Sequence, residues 1–136
     1  MAKELSSKVF ELLNDPQAVK ILASKSSDHK LHTVPLGSLS APDHKTIILG
    51  KILIKETHAN LEKAVGGADL VSVLVVKGGE AYQIRCKVKE FATKGSIFEA
   101  MSEAMKAKKM PLSGVWILEP EEIVNQSPGP EAGKTI

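Results

Sequence analysis

HTVPLGSLSAPDHKTIILGKILIKETHANL, residues His32 to Leu61, reads as two short β runs joined by a Pro42-Asp43 turn, then a helix entered through Lys55, Glu56 and Thr57. The first amides of a helix lack backbone partners, and the helix dipole favours negative charge there. A lysine and a hydroxyl at such a point make a favourable seat for a phosphate. A strand pair feeding that helix therefore suggests a pocket for a phosphorylated small molecule. This defines a ligand class and leaves the reaction open.

The 136 residues fit one domain, with 43% hydrophobic and 25% charged residues, an ordinary globular composition. A net charge of +2 with scattered lysines argues against nucleic acid, and 4% aromatics gives no base-stacking platform. Cys86 is the single cysteine. It has no disulfide partner and no metal-ligand neighbours, so no metal site is expected and an intracellular setting is. No apolar run reaches the length of a membrane span, and the start, MAKELSSKVFELLND, is amphipathic rather than signal-like. Cytoplasmic localisation is the resulting expectation.

Along the chain, Leu5, Val9, Leu12 and Leu13 recur at helical spacing before Pro16, which predicts a helix over Ser6 to Asn14. Ala18 to Ser24 reads as a strand. Lys25 to His29 reads as a turn in which Asp28 takes the unusual backbone angles. Leu31 to Ser40 is a second strand, with Pro35 marking an edge or irregularity, and Thr46 to Ile54 a third. Thr57 to Val65 is helical and stops at Gly66-Gly67. Leu70 to Val76 is a buried strand, and Gly78-Gly79 turns it into Ala81 to Phe91, where Tyr82, Ile84, Cys86 and Val88 alternate with polar residues. Ser96-x-x-Glu99 has the capping-box pattern and opens a helix with Ile97, Phe98, Met101, Ala104 and Met105 on one face. Leu112 to Leu118 is the last strand.

Strands in hairpin-like order, without βαβα alternation, exclude a doubly wound parallel sheet. They predict a mainly β (α+β) fold, an antiparallel six-stranded barrel with peripheral helices. The domain is expected over residues 1–124. Residues 125–136 form a Pro/Gly-rich C-terminal arm, either a disordered end or an extension laid over a neighbouring subunit.

Four segments carry a resemblance. Leu31-His32-Thr33-Val34-Pro35-Leu36-Gly37-Ser38, Lys55-Glu56-Thr57-His58-Ala59-Asn60-Leu61, Tyr82-Gln83-Ile84-Arg85 with Gly95 to Phe98, and Pro128-Gly129-Pro130-Glu131-Ala132-Gly133-Lys134 occur in this order. Together they resemble the pyridoxamine 5′-phosphate oxidase-like FMN-binding split barrels, above all the small single-domain members and electron-transfer proteins. The first looks like the family's flavin-lining strand and the second like its Lys-Thr-x-x-Asn-Leu phosphate motif. The resemblance implies a Greek-key-like split barrel, a homodimer, and FMN at the subunit interface.

On that reading Pro35, Leu36, Gly37 and Ser38 present backbone and small side chains to the flavin ring, and Leu49 and Gly50 line the same pocket. Gly37 permits close approach of a flat ligand; a bulge glycine at a barrel bend is the alternative. Thr57 offers hydroxyl and amide to the phosphate, against the alternative of a plain helix N-cap. Where the family carries lysine directly before the threonine, this chain has Glu56. Alternation along an extended segment turns Glu56 away and lets Lys51 or Lys55 supply the charge. Asn60 hydrogen-bonds ligand or backbone, or is a solvated amide.

The remaining polar residues receive structural roles. Arg85 needs a partner among Glu90, Glu99 or a ligand anion, with an ion pair expected. Cys86 is a small core residue, and His32, His44 and His58 show no metal spacing. Trp116 and Phe98 read as core or dimer interface, and the Met101/Met105 stripe as core. No residue has the setting of a dedicated acid, base or nucleophile, so the redox chemistry falls to the flavin. The expectation is an FMN-dependent oxidoreductase or electron-transfer flavoprotein. Pyridoxamine 5′-phosphate oxidation itself is not expected, because no second phosphate-gripping constellation is visible. The alternative is a non-catalytic barrel holding haem, another flavin-like cofactor or nothing, and Glu56 is the feature that favours it.

Overall fold

The computed structural model describes residues 3–52 and 54–136. Helix α1, Ser7–Leu13, begins where Ser6 Oγ accepts the Val9 amide, and it buries Val9, Leu12 and Leu13. Asn14 ends it and ties it to the barrel. Its side-chain amide donates to Ala41 O and accepts from Ala41 N, both at 2.9 Å.

Strands β1 (Val19–Lys25), β2 (Leu31–Pro35), β3 (Ser40–Asp43) and β4 (Thr46–Gly50) precede helix α2 (Glu56–Ala64). Strands β5 (Leu70–Lys77) and β6 (Glu80–Ala92) form a hairpin through Gly78, whose φ of 60° suits a tight turn. Helix α3 (Ser96–Ala107), β7 (Val115–Asn125) and β8 (Lys134–Thr135) complete the chain.

All pairings are antiparallel, in the order β2-β1-β5-β6-β7-β4-β3 with β8 on β7. The run β5-β6-β7-β4 is a Greek key, and the sheet does not close, as a split barrel requires. The inner face holds the main core, including Leu22, Ile47, Leu49, Val73, Ile84 and Trp116. A second cluster, Ile48, Met101, Met105, Val115 and Ile117, lies under α3 on the opposite face of β4 and β7. Apolar residues on both faces explain why β4 reads as an unbroken hydrophobic run.

The antiparallel barrel with outlying helices matches expectation, but it has eight strands rather than six. The second expected strand breaks at Leu36 to Leu39 because Leu39 N turns back to Leu36 O, leaving β2 and β3. β4 ends at Gly50, four residues early; Leu53, inside the expected strand, lies outside the described residues. β7 runs seven residues past Leu118. Its Glu119-Pro120-Glu121-Glu122 stretch mimics a turn but is a bulge: Cys86 pairs with Pro120 and Arg85 with Glu122, so Glu121 is the extra residue. In the β1–β2 turn the positive φ falls on His29, at 64°, and not on Asp28, whose carboxylate accepts from Ser26. The Ser96 capping box does not form, since the cap of α3 is Gly95 at φ 99°.

β4 covers only Val115 to Leu118 of β7, leaving the second half of β7 as a free edge. The C-terminal arm fills it: Lys134 and Thr135 pair with Asn125 and Val124 of the same chain. No helix among the described residues is long and apolar enough to cross a membrane.

Candidate functional site: a cleft beside the start of α2

Five of the expected residues converge. Pro35, Leu36, Gly37, Ser38 and Gly50 line one cleft of about 370 Å³, within the usual range of small-molecule sites. The link is direct, because Ser38 Oγ accepts the Gly50 amide at 3.1 Å and holds the end of β2 against the end of β4. Gly37 has an ordinary φ, and a Cβ there would meet no atom within 4 Å. Gly37 lies in the turn between β2 and β3, and open space remains above its backbone. Gly50 is different: a Cβ would strike Leu112 Cδ1 at 2.7 Å and Met101 Sδ at 2.8 Å, so it is glycine for packing.

A second group assembles at the start of α2. Lys55 is its N-cap, without a side-chain capping bond, which leaves the first-turn amides to other acceptors. Thr57 lies one residue inside the helix and is 2% exposed, so the plain N-cap role is excluded. Lys51 is close enough to His58, in the same turn, for its charge to disfavour the imidazolium. Ile54, directly before Lys55, forms the edge of the cleft. The ring-sized space and the lysine-flanked helix start are therefore neighbours along the chain.

Two expected residues fall elsewhere. Leu49 is fully buried and turned into the main core, so only its backbone is near the cleft. Asn60 is 4% exposed, and its amide donates to Ser24 Oγ on β1 at 3.0 Å. It bolts α2 to the sheet and is neither a solvated amide nor a cleft residue. Glu56 engages His32, with Nδ1 to Oε2 at 2.8 Å, which draws its carboxylate onto β2. The mechanism differs from strand alternation, because Lys55 at φ −117° and ψ −62° already has helical geometry.

Several neighbours carry no signal at the level of sequence. Met105, Lys108 and Met110 at the end of α3 overhang the cleft. Met105 read as part of a core stripe, and Lys108 and Met110 were not singled out. His58 is also more than a surface residue: its Nδ1 accepts the Trp116 indole N–H at 3.0 Å, and Phe91 packs edge-on against it. That bond fixes the neutral tautomer with the proton on Nε2, 3.5 Å from Glu62. Burial, and then the Lys51 charge, hold its pKa below the ordinary value, while Glu62 pulls the other way. Arg85 pairs with Glu122, its cross-strand neighbour, as a structural ion pair. The Cys86 thiol is pushed far up by burial and is inert as a nucleophile. No cluster of metal-ligating side chains occurs among the described residues.

The open antiparallel barrel has the split-barrel fold, which its structural neighbours, pyridoxamine 5′-phosphate oxidase-like proteins among them, share. Solved structures with this fold include HupZ from Group A Streptococcus, at 21% identity and TM-score 0.78 over 95% of this chain and 99% of that one. An FMN-binding protein from Syntrophomonas wolfei matches at 15% identity and TM-score 0.70, over 86% and 87%. HutZ, the haem storage protein from Vibrio cholerae, matches at 12% identity and TM-score 0.62, over 92% and 97%. Scans against protein-family models and curated proteins gave no match.

Proposed function

We propose that the protein is a cytoplasmic homodimeric FMN-binding flavoprotein acting as an oxidoreductase or electron carrier. The observation that carries this reading is Gly37: an unstrained glycine with open space above it, in a cleft that ends beside the lysine-flanked start of α2. Bound FMN supplies the electron transfer. The chain supplies position. Backbone at Pro35 to Ser38 faces the ring, Met105 and Met110 restrict water, and Thr57 with Lys51 or Lys55 receives the phosphate.

The likeness to an FMN-binding protein supports this reading, and the likeness to a haem storage protein supports the second one. Three of the four histidines are bonded through Nδ1, His32 to Glu56, His44 to Leu5 O at 2.8 Å and His58 to Trp116, which leaves Nε2 as the nitrogen a haem iron would take on that second reading. Purified protein is expected to take up FMN stoichiometrically, show flavin absorbance and release FMN on denaturation. Protein that stays colourless with FMN but gives a Soret band with haemin would establish the alternative. NADH or NADPH oxidation then separates reductase from carrier.

A further inference from the structure

A larger cleft, about 550 Å³, lies between α3, β3 and the α1–β1 connection. Its walls are apolar, chiefly Leu13, Leu39, Ile48, Ile97 and Met101. Two cations, Lys20 and Lys108, also line it, and no carboxylate does.

Lys20 is the unusual member. It lies on the inward face of β1 beside Leu22 and is 8% exposed. Its ammonium has no ion pair or hydrogen bond among the described residues. Asp15, whose field reaches it, is committed to Lys77 at 2.5 Å. Asn14, the nearby polar group, is committed to Ala41. Burial lowers the Lys20 pKa and the Asp15 charge only partly opposes it, so the site carries a desolvation cost that a bound anion would relieve. A buried cation lining a mainly apolar cleft, with Asn14 and Asp15 engaged elsewhere, is complementary to one anionic head on an apolar body.

We propose that this cleft binds an unbranched aliphatic monocarboxylate, its carboxylate on Lys20 and its chain along α3. The site is separate from the flavin cleft, although the two share a wall at Gly37, Ser38, Met105 and Lys108. The proposal goes beyond the flavin reading and does not depend on it. A single buried ammonium suits a monoanion better than a phosphate dianion, and the exposed Lys108 adds long-range attraction.

Dodecanoate titrated calorimetrically into the full-length protein tests it. Saturable one-to-one binding is expected, weakening roughly tenfold for every two methylenes removed from the chain. Lys20→Met should weaken dodecanoate at least tenfold and leave uncharged dodecanol unchanged, while Lys20→Arg retains most of the affinity. Ala100→Trp, at the exposed rim, should block both ligands without touching the core. Circular dichroism establishes that each variant is folded, and removal of an unpaired buried charge favours folding of Lys20→Met. Absence of saturable binding, wild-type affinity in Lys20→Met, or mutual exclusion with FMN overturns the proposal.

Discussion

At the start of α2, the Thr57 hydroxyl is the one proposed phosphate contact that can be removed without changing charge. Loss of a hydrogen bond to a charged group costs about 1.5–3 kcal/mol, so Thr57→Ala is expected to weaken FMN at least several-fold. Thr57→Ser should restore the affinity, because it keeps the hydroxyl and loses only the buried methyl; fluorescence titration of FMN reads both. Unchanged affinity in Thr57→Ala would remove this residue from the site. His58 makes a pH prediction. Its folded pKa lies below the 6.5 of the free group. The unfolded chain therefore binds more protons in the interval between the two values. The contribution of His58 is fully present above about pH 6.5 and is lost as pH falls towards the folded pKa. His58→Gln, which can still accept from Trp116, should flatten the decline of the urea midpoint below about pH 6.5. An unaltered slope would show that other groups set the acid limb.

At the scale of elements, the β6–β7 pair carries the strongest packing constraint. A Cβ on Gly114 would lie 2.2 Å from Phe91 Cζ, and Phe91 in turn packs on His58 and Trp116. Gly114→Ala therefore forces the ring aside and is expected to cost about 1–3 kcal/mol in chemical denaturation. Phe91→Leu in the same chain should recover part of that loss, and strict additivity of the two changes would contradict the clash. The elements themselves were largely legible in the sequence. Helix α1 was signalled by the Leu5, Val9, Leu12, Leu13 spacing before Pro16, and the β5–β6 hairpin by Gly78-Gly79 between two strand-like runs. Their ends were less legible. The Glu119 to Glu122 run looks like a turn to its neighbours in sequence, and only the register against β6 makes it a bulged strand.

For the whole molecule, the outward faces of β1 and β5 present Ile21, Ala23 and Leu74 around a shallow depression. This face suits the proposed homodimer. Leu74→Arg is expected to shift sedimentation from dimer to monomer and to lower FMN retention with it, if the flavin depends on both subunits. A dimer that survives Leu74→Arg would place the interface elsewhere. Removal of residues 127–136 strips β8 from the free edge of β7 and the Ser127 Oγ contact with the Ala81 amide. It should lower the melting temperature and weaken FMN retention; full flavin occupancy in the truncated protein would exclude a role for the arm in the site.

Strand type, hairpin positions and the helix that follows Lys55 were fixed by patterns spanning a few residues, since backbone periodicity and turn chemistry are local. The convergence of Pro35 to Ser38 with Gly50 followed from family resemblance and then from the Ser38 bond to the Gly50 amide. Which distant partner each polar residue takes was set only by the sheet order. Because α2 packs beside β1, Asn60 reaches Ser24 and is lost to the ligand. Because the sheet stays open, α3 rests over β4 and leaves Lys20 buried in a cleft, where Asp15, whose charge reaches it, is bonded to Lys77. Such pairings join residues far apart in the chain, and local spacing carries no record of which strands become neighbours.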